Sequence, residues 1–301
     1  MNNTQARLSH TARTLALTLA LTLTFSACSQ NPLAPASAAP AGAATVQAIP
    51  KGEVTGRAVS HTPESAKAAM HQATLVLPAA LTGGAVFSGL MKDAPRDLKG
   101  KAPVVVFMHG SSGLSLKAIG EWQQWLATQG VASVAPDSFA LPDRLTYKSP
   151  IEKSVYEQIH SLRASEIRLA ADALKGLPWV DSARLILAGT SEGATSVARY
   201  AGNEFAGRIL YSWSCENNYF VTEHKSALPQ NQPVLNVMSS TDNFFSASNP
   251  WLGNAAAQGH CGQALKDNKA ATIVLIPGAP HTLMNLPQAR NATAAFFRDL
   301  K

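Results

Sequence analysis

The sequence predicts an α/β fold: a mostly parallel central sheet with helices packed on both of its faces. Two observations carry this reading. Short runs of apolar, largely β-branched residues recur along the chain, each long enough for one buried strand. Between them stand segments with helical spacing of apolar residues, and such alternation implies crossover connections and a parallel sheet. In sheets of this kind the ligand site lies beyond the carboxyl ends of the strands. The residues directly after each strand are therefore where chemistry is expected.

Taken in order, residues 74–77 and 85–90 read as early strands separated by a Gly83-Gly84 turn. Residues 103–108 form a fully apolar run ending at His109-Gly110, as a buried parallel strand should. Residues 119–129 have helical spacing and stop at Gly130, and residues 131–135 form another short strand. A long amphipathic helix spans 157–174, with Ile159, Leu162, Ile167, Ala170 and Leu174 on one face and Gly176 beyond its end. Residues 184–188 make the next strand, followed by a helix from Glu192 to about Ala201. Three more strands are expected at 208–213, 234–238 and 272–276, and a last helix at 288–300.

The chain has 301 residues, a length open to one or two domains. Its hydrophobic share of 46% against 15% charged residues argues for a folded core rather than disorder. A formal net charge of +6 is spread thinly, and no dense Lys/Arg cluster suggests nucleic acid. The three cysteines form no C-x-x-C pair, which argues against a zinc site. From Lys51 onward no low-complexity break divides the chain, so residues 51–301 read as one domain.

The start of the chain reads as an address. Arg7 and Arg13 are the only charged side chains before Lys51, and they lead into a run of twelve residues, 14–25, too short to span a membrane. Ser26, Ala27 and Cys28 follow. This order resembles a bacterial lipoprotein signal, which implies cleavage after residue 27 and lipid modification of Cys28. The alternative is an ordinary secretory signal cut near Ala27, leaving a soluble exported protein. With residues 1–27 removed, the charge falls from +6 to +4 through the loss of the two arginines. Residues 28–50 carry no charge and are rich in Ala and Pro, as expected of an extended tether. The expected location is a membrane-anchored one facing the periplasm or the cell exterior.

Beyond the strand at 184–188 stands Gly189-Thr190-Ser191-Glu192-Gly193, a G-x-S-x-G motif between a strand and a helix. The spacing has a physical reason. The serine must sit on a sharp turn to project its hydroxyl, and glycines two positions either side let strand and helix backbones approach. A serine hydroxyl is a weak nucleophile without a base. Asp242 follows the strand at 234–238 and His281 follows the strand at 272–276. Ser191, His281 and Asp242 thus form a candidate catalytic triad, with Glu216, which follows the strand at 208–213, as the alternative acid. The oxyanion hole is expected from the amides of Glu192 and Ser111, with Ser112 as the alternative donor. His109 is read as a buried histidine orienting the loop at 110–113.

With these residues the chain resembles the α/β-hydrolase fold, and its local features are similar to the dienelactone hydrolase-like branch. The segments Ala135-Pro136-Asp137-Ser138-Phe139 and Pro277-Gly278-Ala279-Pro280-His281, with the Arg163/Glu166 helix, carry that likeness. One departure matters: that branch resembles this pattern with cysteine as nucleophile, whereas here the residue is Ser191. The resemblance therefore implies a serine esterase on the same scaffold.

About twenty residues separate the strand at 208–213 from the one at 234–238, too few for a large lid, so an open or shallow cleft is expected. Phe244, Phe245 and Trp251 are candidates to line it. In an exported protein Cys215 and Cys261 are expected to pair. The function expected is cleavage of a small or polymeric carboxylic ester through an acyl-enzyme, without metal or cofactor. Dienelactone hydrolase-like, thioesterase or peptidase activity, or a non-catalytic ligand-binding lipoprotein, are the alternatives.

Overall fold

The computed structural model describes residues 49–300. The lipoprotein signal and Cys28 lie outside them. In chain order the elements are β1 (Glu53–Thr55), α1 (Pro63–His71), β2 (Thr74–Leu77), α2 (Ala79–Thr82), β3 (Phe87–Leu90), β4 (Ala102–Met108), α3 (Lys117–Thr128) and β5 (Ala132–Ala135). They continue with β6 (Thr146–Lys148), α4 (Lys153–Leu174), β7 (Val180–Thr190), α5 (Glu192–Arg199), β8 (Gly207–Tyr211), β9 (Val234–Ser239), β10 (Ala271–Ile276) and α6 (Pro287–Asp299).

Eight strands form one sheet in the order β10-β9-β8-β7-β4-β5-β2-β3. The pairs from β10 to β5 are parallel, and β2 pairs antiparallel with both β5 and β3. Because strand side chains alternate, β4 feeds two cores. Val104 and Val106 point into the layer shared with α4 and α5, including Tyr156, Ile167 and Val197. Val105 and Phe107 point into the layer of α3 and α6, including Trp122, Leu126 and Phe296. A strand buried on both faces must be apolar throughout, which is why β4 was readable as a continuous run.

Several boundaries differ from the sequence reading. The strand expected at 85–90 begins at Phe87, because α2 occupies Ala79–Thr82 and ends at Gly83 in the left-handed region (φ 83°). The strand expected at 184–188 starts earlier, at Val180. Its polar stretch Asp181–Arg184 is exposed or half-buried, and the register slips there against β4, pairing Val180 with Ala102 and then Leu185 with Val104. Helix α4 begins at Lys153, four residues before the expected start. Two features went unread. Helix α1 is opened by a capping box in which Thr62 and Ser65 bond each other's backbone amides, with a proline in its first turn. The small antiparallel ribbon of β1 and β6 lies apart from the main sheet, pairing Val54 with Tyr147.

Candidate active site

The turn between β7 and α5 is built by close backbone contact. A Cβ on Gly189 would stand 2.7 Å from the Gly193 carbonyl carbon, and one on Gly193 would stand 2.1 Å from the Met108 oxygen. Glycine at both places lets the strand, the helix and β4 meet. Ser191 itself takes φ 54° and ψ −121°, a conformation L residues rarely adopt. Its amide donates to the Tyr211 carbonyl at 3.0 Å, and its carbonyl accepts from Thr195 at 3.1 Å, which holds the turn on both sides.

Asp242 follows β9 and is buried. Its Oδ1 accepts from the amides of Phe244 (2.9 Å) and Phe245 (3.0 Å), and its Oδ2 lies 2.7 Å from His281 Nδ1. Burial alone would raise the Asp242 carboxyl. The His281 hydrogen bond and charge, with the two amides, outweigh it and hold the group below the usual carboxylate range. With the carboxylate accepting at Nδ1, that nitrogen carries the proton and Nε2 is left as the basic one. The loop bearing His281 is fixed by two hydroxyls: Ser212 donates to the His281 carbonyl at 2.5 Å and Ser239 to the Ala279 carbonyl at 2.7 Å.

Ser191 and His281 line one cleft of about 150 Å³, together with Ser111, Ser112 and Gly113 from the loop after β4. Glu192 opens α5, and the first amides of a helix have no partner within it. Phe244 and Phe245 also line the cleft. Trp251 does not: it packs edge-on against Tyr219, with ring centroids 4.4 Å apart, and so stands one ring behind the wall. Glu216 is engaged elsewhere, accepting from the amides of Gln258 (2.7 Å) and Gly259 (3.0 Å).

Beneath the cleft lies a buried polar cluster around His109, which is buried as expected, and the Arg163/Glu166 pair; its links to Arg144, Glu192 and His61 were not foreseen. Arg163, on α4, donates from Nη2 to the His109 carbonyl at 2.8 Å, from Nη1 to Glu166, and places Nε 3.4 Å from Glu192 Oε1. Arg144 donates to Glu192 at 2.8 Å and to Ser138 Oγ at 2.7 Å. Glu166 also accepts from Ser138 at 2.6 Å and lies 3.1 Å from His61 Nε2. Burial would raise the Glu166 carboxyl, but Arg163, His61 and Ser138 bring it down to about 2. His109 donates from Nδ1 to the Gly110 carbonyl (2.7 Å) and accepts the Ser138 amide at Nε2 (3.2 Å). Its burial, with Arg163 beside it, holds it well below the usual histidine range, so it is neutral and bonded at both nitrogens.

Tyr147, Ser149, Tyr219 and Phe220 line the cleft as well and were not foreseen. Tyr219 and Phe220 lie in the segment after β8, where the strand-end rule pointed. Tyr147 sits on β6, which gave no signal. Cys215 and Cys261 form a disulfide with Cα atoms 4.7 Å apart. Among the described residues no group of three or more His, Cys, Asp or Glu is placed to hold a metal ion, and no helix is long and apolar enough to cross a membrane.

Comparison with known structures finds Est1E from Butyrivibrio proteoclasticus at 20% identity, covering 68% of this chain and 91% of that one, with a TM-score of 0.44. A putative dienelactone hydrolase from Klebsiella pneumoniae subsp. pneumoniae MGH 78578 is similar at 17% identity, covering 68% and 90%, with a TM-score of 0.48. Esterase PE8 follows at 19% identity, covering 67% and 94%, with a TM-score of 0.43. No curated protein matches the chain. The family model for dienelactone hydrolases matches residues 90–296, a span holding β4 through nearly all of α6. With more than half of its length matched and its strands in this order, the chain has the α/β-hydrolase fold and belongs to the dienelactone hydrolase family.

Proposed function

We propose that this hydrolase cleaves carboxylic esters through an acyl-enzyme, with Ser191 as nucleophile, His281 as general base and acid, and Asp242 as the group that orients it. One observation carries the reading most: Ser191 is held on a strained strand-to-helix turn in the same cleft as His281, whose Nδ1 is bonded to buried Asp242. In this scheme Ser191 Oγ attacks the ester carbonyl and its proton passes to His281 Nε2. The tetrahedral oxyanion is met by the amides of Glu192 and Ser111. As the C–O bond to the alcohol breaks, His281 returns the proton to the leaving oxygen. Water, deprotonated by the same nitrogen, then releases the acid and restores Ser191. Asp242 holds the imidazole tautomer and stabilises the imidazolium without itself taking the proton.

A fluorophosphonate probe tests the reading. Covalent labelling of the wild type that disappears in Ser191→Ala is the expected result; an unlabelled, folded wild type points instead to a ligand-binding protein. Kinetics on matched ester, thioester and amide substrates then test the substrate class. Higher kcat/KM on the thioester or amide, after correction for intrinsic reactivity, overturns ester cleavage. We further propose that the protein is exported and anchored through a lipid on Cys28. Fatty-acid labelling of the wild type, abolished by Cys28→Ser, is the expected result, and label-free soluble protein from the wild type refutes it.

A further inference from the structure

We propose that the cleft selects an uncharged ester whose acyl part is a single aromatic ring. This deepens the esterase reading and rests on it.

Size comes first. A cleft of about 150 Å³ has the volume of the apolar cavity known to take one benzene molecule. A long acyl chain would extend beyond it. His281 keeps about a fifth of its side chain open to solvent, so the alcohol that leaves from its side departs to water. The acyl group stays bonded to Ser191, inside the cleft that these residues line.

The walls come second. Five aromatic rings line this small space, brought by three separate segments: Tyr147 on β6, Tyr219 and Phe220 after β8, and Phe244 and Phe245 after β9. Other rings brace them from behind. Tyr147 meets Tyr156 edge-on at 5.0 Å, Phe245 meets Trp213 edge-on at 4.9 Å, and Tyr219 is braced by Trp251. Walls fixed in this way lose little conformational freedom when a guest enters. An aromatic guest gains edge-to-face contacts with them that a saturated ring of equal area does not.

Charge comes third. No Lys, Arg, Asp or Glu lines the cleft. The nearby guanidiniums of Arg144 and Arg163 are buried and committed to Glu192 and Glu166. A carboxylate on the acyl group would lose its water and find no cation, a heavy penalty.

The test measures kcat/KM for the 4-nitrophenyl esters of benzoic, cyclohexanecarboxylic, decanoic and 4-carboxybenzoic acids. Each value is divided by the rate constant for hydroxide hydrolysis of the same ester, which removes intrinsic reactivity. The benzoate is expected to exceed the cyclohexanecarboxylate by about 3- to 10-fold, the size of one aromatic pair. Decanoate and 4-carboxybenzoate are expected to fall at least about 10-fold below benzoate. Phe244→Leu should narrow the benzoate preference. Hydrolysis that depends on Ser191 but runs as fast on decanoate, cyclohexanecarboxylate or 4-carboxybenzoate overturns the ring proposal alone. Turnover that survives in Ser191→Ala, or no turnover of any ester, overturns the esterase reading and this proposal with it.

Discussion

A serine at φ 54° and ψ −121° costs about 1–3 kcal/mol of backbone strain, held in place by the surrounding turn. Ser191→Gly removes the side chain that makes this conformation unfavourable. We expect the variant to unfold at a higher temperature than the wild type while losing hydrolysis, a separation visible by pairing thermal denaturation with an ester assay. A lower melting temperature contradicts the assigned strain. At the acid position the two candidates differ in what they touch. Asp242 meets His281 at 2.7 Å, whereas Glu216 caps the turn at Gln258 and Gly259. Asp242→Asn keeps the shape but reverses the preferred tautomer, and kcat should fall by about 10⁴. Glu216→Gln should leave kcat near wild type. The opposite pattern would transfer the role to Glu216.

At the level of elements, α4 does more than cover the sheet. Through Arg163 it ties the loop after β4, by the His109 carbonyl, to the first residue of α5, by the Glu192 carboxylate. These are the two places from which the proposed oxyanion amides come. Lysine keeps the charge but lacks the planar fork that serves several acceptors at once. Arg163→Lys should therefore lower kcat by about 10- to 100-fold with a smaller change in KM, since small misplacements of positioned groups cost that much. An unchanged kcat in a folded variant would limit Arg163 to stability. The disulfide plays a comparable part on the other side. It joins the segment after β8 to the one after β9, alongside the Glu216 cap and buried Asn236, which accepts from the Cys261 amide and donates to the Trp213 carbonyl. Replacing both cysteines by serine should cost about 2–4 kcal/mol in denaturant unfolding, given the 46-residue separation.

Across the whole molecule, what the sequence made legible follows from where the information is local. A strand buried on both faces is expected to be apolar along its length, so β4 stood out; β8 and β9 stood out despite the buried polar Arg208 and Asn236, which donate to backbone carbonyls. Residues just past strands were singled out because the ligand site of a parallel sheet lies beyond the carboxyl ends of its strands. The β1–β6 ribbon was not legible, since three residues per strand with an exposed β1 leave no period to detect. The cluster around Arg163 was legible only in part, through His109, Ser138, Arg163 and Glu166, and its assembly was hidden for another reason. Its members come from α4, α5, the stretch before α1 and the loops after β4 and β5, and only the folded sheet brings them together. Tyr147 and Trp251 illustrate the same limit, one entering the cleft from the ribbon and the other standing behind it.

The buried titratable groups together set how stability depends on pH. His109, His160 and His224 are all held below the ordinary histidine value, chiefly by burial and then by nearby arginines. In His224 both ring nitrogens are buried without hydrogen-bond partners, and its pKa falls to about 4. A histidine depressed in this way stays neutral in the fold while the unfolded chain takes up a proton near pH 6.5. Its share of stability is present above that pH and is lost as pH falls toward 4. The carboxylates act later and with the same sign. Glu166, brought down to about 2, and Asp242 contribute stability that is present above about pH 4.5 and lost below it. The melting temperature should therefore decline in two stages, first between about pH 6.5 and 4 and then more steeply below about 4.5. Because His224 forms no hydrogen bond through its ring, His224→Phe should remove part of the first stage and leave the second intact. Circular dichroism melts at pH 7.5, 5 and 3.5 check this, and a variant whose loss from pH 7.5 to 5 equals the wild type's would assign the first stage to His109 and His160 alone.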